Sequence, residues 1–249
     1  RKVINLPSWD FSRNGKSWQQ VAVPHDWAIS GPFDKKWDLQ MVAIEQNGET
    51  EKTEKSGRSG ALPWIGEGMY KMNWTAPKGY KRAVLVFDGA MSQPVVSVNG
   101  KEAGKWAYGY NAFRIDITPF IKFGKSNLIE VHLNNVEESS RWYPGGGLYR
   151  PVSVELYGNE NFSTWDTFVR TLKADKQEAE VEVNALLEGK TGKSGKTVIA
   201  LLDEAGKKVA EQIVTGANPE IKTTLKVANP QLWSPESPYL YQVKLTRYE

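Results

Sequence analysis

Short runs in which apolar and polar residues alternate recur along the chain, and helical spacing is almost absent. Each run is bounded by Gly, Pro, Asn or Asp, which favour turns. The first series of runs covers residues 83–87, 94–98, 128–133 and 152–156. The pair Asn99-Gly100 predicts a type I′ hairpin, because both central residues of that turn need φ > 0, and its second strand begins near Lys101. Such regular spacing predicts an antiparallel sandwich or jelly roll rather than a βαβ fold.

A second series of alternating runs follows the segment 159–161. Its members are residues 164–172, 178–187, 197–203, 223–227 and 239–246, and residues 204–207 form a predicted turn. These runs, with room for about two more strands, fit an immunoglobulin-like β-sandwich. We therefore predict an all-β chain with two domains, a jelly-roll sandwich over residues 1–160 and an immunoglobulin-like β-sandwich over residues 161–249.

Composition and charge exclude several classes of function. The 249 residues include no cysteine, which rules out disulfides, thiol nucleophiles and Cys-ligated metals. The 32 Lys and Arg residues nearly balance the 29 Asp and Glu residues and form no basic stripe, so nucleic acid is not an expected partner. No apolar run approaches the ~20 residues of a membrane span, so we expect no membrane partner.

The segment 139–150 is the densest in chemically distinctive residues. Three consecutive glycines, Gly145 to Gly147, permit close backbone approach. A phosphate-binding loop would continue into a helix or a Lys-Ser/Thr pair, and neither follows here. Two interpretations remain open for Arg141, Trp142 and Tyr143: they line a sugar-facing or interdomain surface, or they pack as a structural loop whose aromatic rings belong to the core.

A cluster of aromatic residues follows the predicted hairpin. Trp106, Tyr108 and Tyr110 lie on one face if the segment is extended. Carbohydrate-binding modules use such a stripe, because the C–H face of a sugar stacks on an aromatic ring. A sandwich core or a domain interface has the same composition, and the usual burial of large aromatic residues favours that second interpretation. Trp64 is a weaker candidate of the same kind.

The titratable residues give no catalytic or metal-binding pattern. His25 and His132 are the two histidines, and their separation in sequence argues against a zinc site. Glu137 and Glu138 would point to opposite faces of an extended chain. Glu160 lies in the predicted interdomain turn. We also predict that the polar insertion 45–60, which has no strand pattern, is a mobile loop.

Six segments, taken in order, resemble the N-terminal part of glycoside hydrolase family 2, of the beta-galactosidase type. They are VPHDW at 23–27, GEGMYK at 66–71, FDGA at 87–90 with VNGK at 98–101, FRIDITP at 113–119, SRWYPGGGLYR at 140–150 and NPQLWSPESPYLY at 229–241. The resemblance implies a galactose-binding-like jelly roll, then an immunoglobulin-like domain, then a (β/α)₈ barrel that carries the chemistry.

The same resemblance implies a retaining glycosidase without a cofactor. Its acid/base and nucleophile are two Glu of the barrel, about 5–5.5 Å apart at the ends of strands. This chain is expected to stop before that barrel and to be inactive alone. Its implied partners are β-galactoside-type glycans, bound through the whole enzyme, and its own catalytic barrel. The resemblance is also compatible with a homo-oligomer of the whole enzyme. We expect this enzyme to be periplasmic or secreted, with its signal peptide removed.

One departure from the family pattern concerns the segment aligned with residues 139–142. Some relatives carry an acidic residue there that completes a galactose pocket, whereas this chain has no carboxylate at these positions. Direct sugar and sodium ligation by this loop is therefore not expected. Arg141 and Trp142 would instead bond sugar hydroxyls and cover a pyranose face, or both would contact the barrel.

Three other identities stay open at this point. In the first, the chain is a stand-alone carbohydrate-binding module with Trp106, Tyr108 and Tyr110 as its binding surface. In the second, it is a fragment of a beta-glucuronidase or beta-mannosidase of the same family. In the third, it is a purely structural or adhesive pair of β-sandwiches.

Overall fold

The computed structural model describes residues 1–37, 62–136, 144–189 and 195–248. The chain divides into two compact units, Arg1–Tyr157 and Gly158–Glu249. The division falls slightly before the boundary at residue 160 that the sequence suggests, because Glu160–Phe162 is a strand that pairs inside the second unit. The all-β class and the two β-sandwiches are confirmed. Among the described residues, no helix has the length and apolarity needed to cross a membrane.

The first unit contains two antiparallel sheets. Their order is β1-β10-β5-β8 in one sheet and β3-β2-β4-β9-β6-β7 in the other. The strands are β1 (Lys2–Asn5), β2 (Ser8–Ser12), β3 (Gln19–Ala22), β4 (Glu67–Thr75), β5 (Arg82–Phe87), β6 (Val95–Val98), β7 (Lys101–Lys105), β8 (Phe113–Asp116), β9 (Ser126–Asn134) and β10 (Val152–Tyr157), with a turn of 3₁₀ helix at Lys35–Trp37.

Alternation along the strands builds the core between these sheets. In β9, Ile129, Val131 and Leu133 are buried, whereas Glu130 and His132 on the opposite face are partly exposed. Strands β5 and β10 of the facing sheet add further inward residues to the same cluster, among them Leu85, Phe87, Val154 and Leu156. Each fully buried aliphatic side chain contributes about 1.5–3 kcal/mol, so this face dominates the stability of the first unit.

The predicted Asn-Gly hairpin is confirmed between β6 and β7. Asn99 and Gly100 have φ of 52° and 76°, as a type I′ turn requires. The Asn99 side-chain amide donates to Phe120 O at 2.8 Å and to Asn127 Oδ1 at 2.9 Å, and its oxygen accepts from Leu128 N at 3.0 Å. One turn residue therefore fixes both the hairpin and its neighbours.

The second unit also contains two antiparallel sheets. In one, β13 pairs with β11, β12 and β16, and in the other the order is β15-β14-β17. The strands are β11 (Glu160–Phe162), β12 (Phe168–Ala174), β13 (Glu178–Gly189), β14 (Lys196–Leu202), β15 (Lys208–Thr215), β16 (Glu220–Ala228) and β17 (Gln242–Tyr248). Inward side chains such as Val183, Leu187, Ile199 and Leu225 form its core.

A buried ion pair joins β11 and β17, which lie in different sheets of the second unit. Arg247 Nε lies 2.7 Å from Glu160 Oε2, and these side chains are only 8% and 2% exposed. Arg247 also donates to Thr197 Oγ1 at 3.3 Å and to Gly216 O at 3.4 Å. Because the guanidinium group has several partners, its desolvation is largely compensated.

Substituting Arg247 by Met should destabilise the second unit by about 3–5 kcal/mol, because Glu160 would keep a buried charge without its guanidinium partner. The free energy of unfolding in urea measures this effect. The matched control is Lys208→Met, which removes an exposed pair with Glu211 at 2.8 Å and should cost less than about 1 kcal/mol. Equal losses in the two variants would contradict the buried-pair argument.

Candidate functional site

Two of the three glycines at 145–147, Gly146 and Gly147, bring backbone against large buried side chains. A Cβ on Gly146 would lie 2.5 Å from Trp27 Nε1, and one on Gly147 would lie 2.7 Å from His25 O. Main-chain bonds hold this approach: His25 N–H donates to Leu148 O at 2.7 Å, and Trp27 N–H donates to Gly146 O at 3.3 Å. We call residues 144–150 the glycine loop. Gly146 and Gly147 therefore allow the backbone of this loop to pack closely against Trp27, Tyr70 and His25.

The glycine loop packs against the indole nitrogen of Trp27. Among the described residues, Trp27 Nε1 has no hydrogen-bond partner. The Trp27 side chain is 1% exposed and packs against Phe11 and Trp64, with ring centroids 5.8 and 5.6 Å away. Arg13 lies over the Trp64 ring at 4.9 Å and donates to Trp27 O at 2.7 Å. Trp64, a weaker sugar-binding candidate from the sequence, is therefore part of this packed cluster.

The partly buried His25 and the buried Tyr70 form a polar pair beside the glycine loop. His25 Nδ1 and Tyr70 Oη share a hydrogen bond of 2.8 Å, and Tyr70 is 1% exposed. Burial lowers the pKa of His25, against the opposing effect of Asp26, and burial raises the pKa of Tyr70. Both groups are therefore neutral near pH 7. The pair is a hydrogen bond between two neutral groups that joins the segment at His25 to β4.

The glycine loop also holds the aromatic segment predicted as a binding surface. Tyr110 Oη donates to Pro144 O at 3.0 Å, and Tyr149 Oη donates to Gly109 O at 2.9 Å. Arg150 donates to Tyr110 O at 3.1 Å. Gly109 and Tyr110, at the end of this segment, are therefore fixed by bonds to residues about 35–40 positions later in the chain.

A stack of parallel rings leads from the core to Trp106. Phe87 and Phe113 lie 4.7 Å apart at an interplanar angle of 6°, and Phe113 and Trp106 lie 5.6 Å apart at 7°. Phe87 and Phe113 are buried, but Trp106 is 40% exposed. Since Phe113 covers one face of the indole, its exposed area lies on the remaining face and edge. Trp106 is the outermost ring of this stack.

Trp106 and Tyr108 line a surface cavity of about 480 Å³. Its other lining residues are Gln93, Val95, Lys105 and Ala107. Tyr108 is 57% exposed and Tyr110 is 45% exposed. Tyr110 does not line the cavity, because its hydroxyl is turned to Pro144 and its ring meets Tyr108 edge-on at 5.6 Å. The three rings are thus surface residues of the described chain, and two of them form a common wall.

The structure locates the remaining candidates as follows. Arg141, Trp142 and Tyr143 lie outside the described residues, as do Glu137, Glu138 and the insertion 45–60. Glu160 lies in β11 rather than in a turn and is paired with Arg247. Within the described ranges, no group of three or more His, Asp or Glu side chains is arranged to hold a metal ion.

Sequence reasoning missed three residues that shape the cavity. Phe113 occupies an inward position of β8, which its alternation with Arg114 could have indicated. Lys105 ends β7, and Gln93 has a positive φ of 48°. No sequence signal marks Gln93, because non-glycine residues rarely adopt this conformation.

Comparisons with known proteins identify the family of this chain. Residues 163–248 match the sequence profile of Glycosyl hydrolases family 2. The chain is 33% identical to a putative beta-glucuronidase of Formosa agariphila over 94% of this chain and 22% of that protein. It is also 33% identical to the beta-galactosidase BoGH2A of Bacteroides ovatus, over 90% of this chain and 26% of that protein. The chain therefore spans roughly a quarter of these curated relatives.

Solved structures agree with this result. A glycosyl hydrolase family 2 member from Bacteroides cellulosilyticus superimposes with a TM-score of 0.82 and 30% identity, covering 100% of this chain and 33% of that chain. A beta-glucuronidase of family 2 superimposes with a TM-score of 0.80 at 22% identity, covering 99% and 29%, which supports the fold. The resemblance to glycoside hydrolase family 2 is confirmed, and the chain corresponds to part of such enzymes.

Substituting Gly147 by Ala should destabilise the first unit by more than about 2 kcal/mol, because the new Cβ meets Tyr70 Oη and His25 O as well as requiring an unfavourable φ of +90°. The matched control is Gly79→Ala, which has φ +88° and no atom within 4 Å of the added Cβ. It should cost only the backbone strain of about 1–2 kcal/mol. Urea unfolding measures both variants, and equal losses would refute the close-packing role.

The lowered pKa of His25 makes the first unit less stable in mild acid. The unfolded chain takes up a proton near pH 6.5, whereas the folded chain resists it, so stability is complete above pH 6.5 and falls as the pH drops from there towards the folded pKa. Unfolding free energies measured between pH 7.5 and 5 should show this slope. The slope should be smaller in His25→Gln, and an unchanged slope in that variant would contradict the assignment.

Proposed function

We propose that this chain is the non-catalytic N-terminal part of a retaining family 2 glycoside hydrolase that cleaves terminal β-galactosides, with the catalytic barrel outside this chain. The observation that carries the proposal is the pattern of similarity. The relatives match 90–94% of this chain, yet the match covers 22–26% of their length. In this proposal the first unit supports the barrel and shapes its substrate pocket, and the second unit is a spacer.

The buried carboxylates of the described chain support the absence of catalysis here. Glu155 is buried in the first unit and is bound by Arg114 and by the Tyr157 hydroxyl. Glu160 is bound by Arg247 in the second unit. A retaining glycosidase needs one carboxyl that donates a proton and a second that attacks, about 5–5.5 Å apart across the substrate. Glu155 and Glu160 are each engaged in an ion pair with an arginine of their own unit, which supports a structural role for both.

A second candidate is a beta-glucuronidase of the same family. It is favoured by the 33% identity to the putative beta-glucuronidase of Formosa agariphila, which equals the identity to the beta-galactosidase of Bacteroides ovatus. We prefer the beta-galactosidase because of the six sequence segments that resemble that type. The periplasmic or secreted location and a homo-oligomer of the whole enzyme stay predictions.

The purified 249-residue chain should not hydrolyse p-nitrophenyl β-galactoside or p-nitrophenyl β-glucuronide above the buffer rate, because the acid/base and nucleophile lie outside it. Absorbance of released p-nitrophenol measures the turnover. Activity that co-elutes with the folded chain in size-exclusion chromatography, and persists across independent preparations, would overturn the proposal.

A longer form of the protein, with the catalytic barrel that this proposal requires, would separate the two substrate classes. Expressed with its downstream coding sequence, the enzyme should hydrolyse the β-galactoside with a higher kcat/KM than the β-glucuronide. A higher value for the glucuronide would establish the second candidate. A downstream sequence encoding further sandwiches, with neither activity, would refute both.

A further inference from the structure

The cavity beside Trp106 and Tyr108 has the features of a small carbohydrate site. We propose that it binds one pyranose unit of a glycan, with the indole of Trp106 beneath the sugar ring. The proposal goes beyond the proposed function and does not rest on it, because binding here uses residues of the first unit alone.

The indole of Trp106 offers a flat apolar platform. One face is covered by Phe113, and the ring remains 40% exposed. The C–H groups on one face of a pyranose carry a small positive charge and contact the negative face of an aromatic ring favourably. Tyr108, which is 57% exposed and lines the same cavity, presents a second ring and a hydroxyl beside this platform.

Polar groups at the rim are placed to select hydroxyls. Gln93 supplies an amide donor and acceptor, and Lys105 supplies an ammonium donor. Val95 and Ala107 complete the lining with apolar surface. A mostly apolar wall with a few polar groups is typical of small-molecule sites, and 480 Å³ lies within their usual range of about 300–1,000 Å³.

The site is held in place before any ligand arrives. The main-chain N–H of Trp106 donates to Pro94 O at 3.0 Å, which connects the backbone beneath the platform to the segment that carries Gln93. Tyr110 Oη donates to Pro144 O, and Tyr149 Oη of the glycine loop donates to Gly109 O, so two bonds join the end of the aromatic segment to the glycine loop. Fixing these side chains in advance lowers the entropy lost on binding.

Other occupants fit this cavity less well. A stable protein partner covers about 20–30 residues on each side, whereas six residues line this cavity. A cationic ligand over the indole would face the ammonium group of Lys105. A nucleotide would stack on Trp106, but its phosphates would meet Lys105 as the single cation among the lining residues. A pyranose uses the flat ring and the mixed rim together.

The test follows the indole N–H signals of the ¹⁵N-labelled 249-residue chain during titration with the methyl β-glycosides of galactose, glucose and glucuronic acid. At least one sugar should shift the Trp106 signal along a saturating curve, with a dissociation constant of roughly 1–10 mM for a single ring contact. Trp106→Ala and Tyr108→Ala should each weaken binding at least tenfold, as read from the remaining backbone amide shifts. The matched control is Trp165→Ala, which removes a 77% exposed tryptophan of the second unit and should leave binding unchanged.

Amide signal dispersion first establishes that each variant is folded. If Trp106→Ala fails to fold, Tyr108→Ala decides the question. The proposal is overturned if none of the three glycosides gives a saturating shift, or if folded Trp106→Ala or Tyr108→Ala binds as well as the unsubstituted chain. Since the readout is binding and not turnover, failure here leaves the assignment to a glycosidase untouched, and glycosidase activity of this chain would leave the sugar site untouched.

Discussion

The close approach of the glycine loop to Trp27 and Tyr70 is the constraint on which one end of the first unit depends. No side chain fits between the backbone at Gly146 and the Trp27 indole, so the loop lies directly on buried rings. The loop reaches in the other direction as well, since Pro144 O accepts from Tyr110 Oη. A single segment thereby connects the pair His25–Tyr70 to the exposed aromatic surface.

The sequence predicted the strands better than the site, because the strand pattern is local whereas the site depends on contacts between distant segments. The alternation in β9 and β10 reflects burial of one face, and such a pattern is visible in any single sequence. β15 escaped prediction because most of its residues are exposed and its pattern is weak. β12 starts later than predicted, because Ser163 and Asp166 form a side-chain bond that closes a turn before it.

The candidate surface depends on contacts that no local pattern contains. Trp106, Tyr108 and Tyr110 were identified by their spacing, which assumes an extended chain. The strand ends at Lys105, and Tyr110 turns to the glycine loop, so the spacing did not predict which rings share a wall. Trp106 rests on Phe113, whose place beneath it follows from the pairing of β8 with β5.

The buried and the exposed aromatic residues of the first unit therefore have different roles. Trp27 and Tyr70 are closed off by the glycine loop and contribute packing, at the expense of one indole N–H that has no partner among the described residues. Trp106 uses the same core through Phe113 but keeps area in contact with water. An exposed tryptophan is ordinarily free to change rotamer, and a ligand must then meet the entropy of fixing it. A ring already stacked on a buried phenylalanine has lost part of that freedom during folding, so the proposed sugar contact would cost less side-chain entropy.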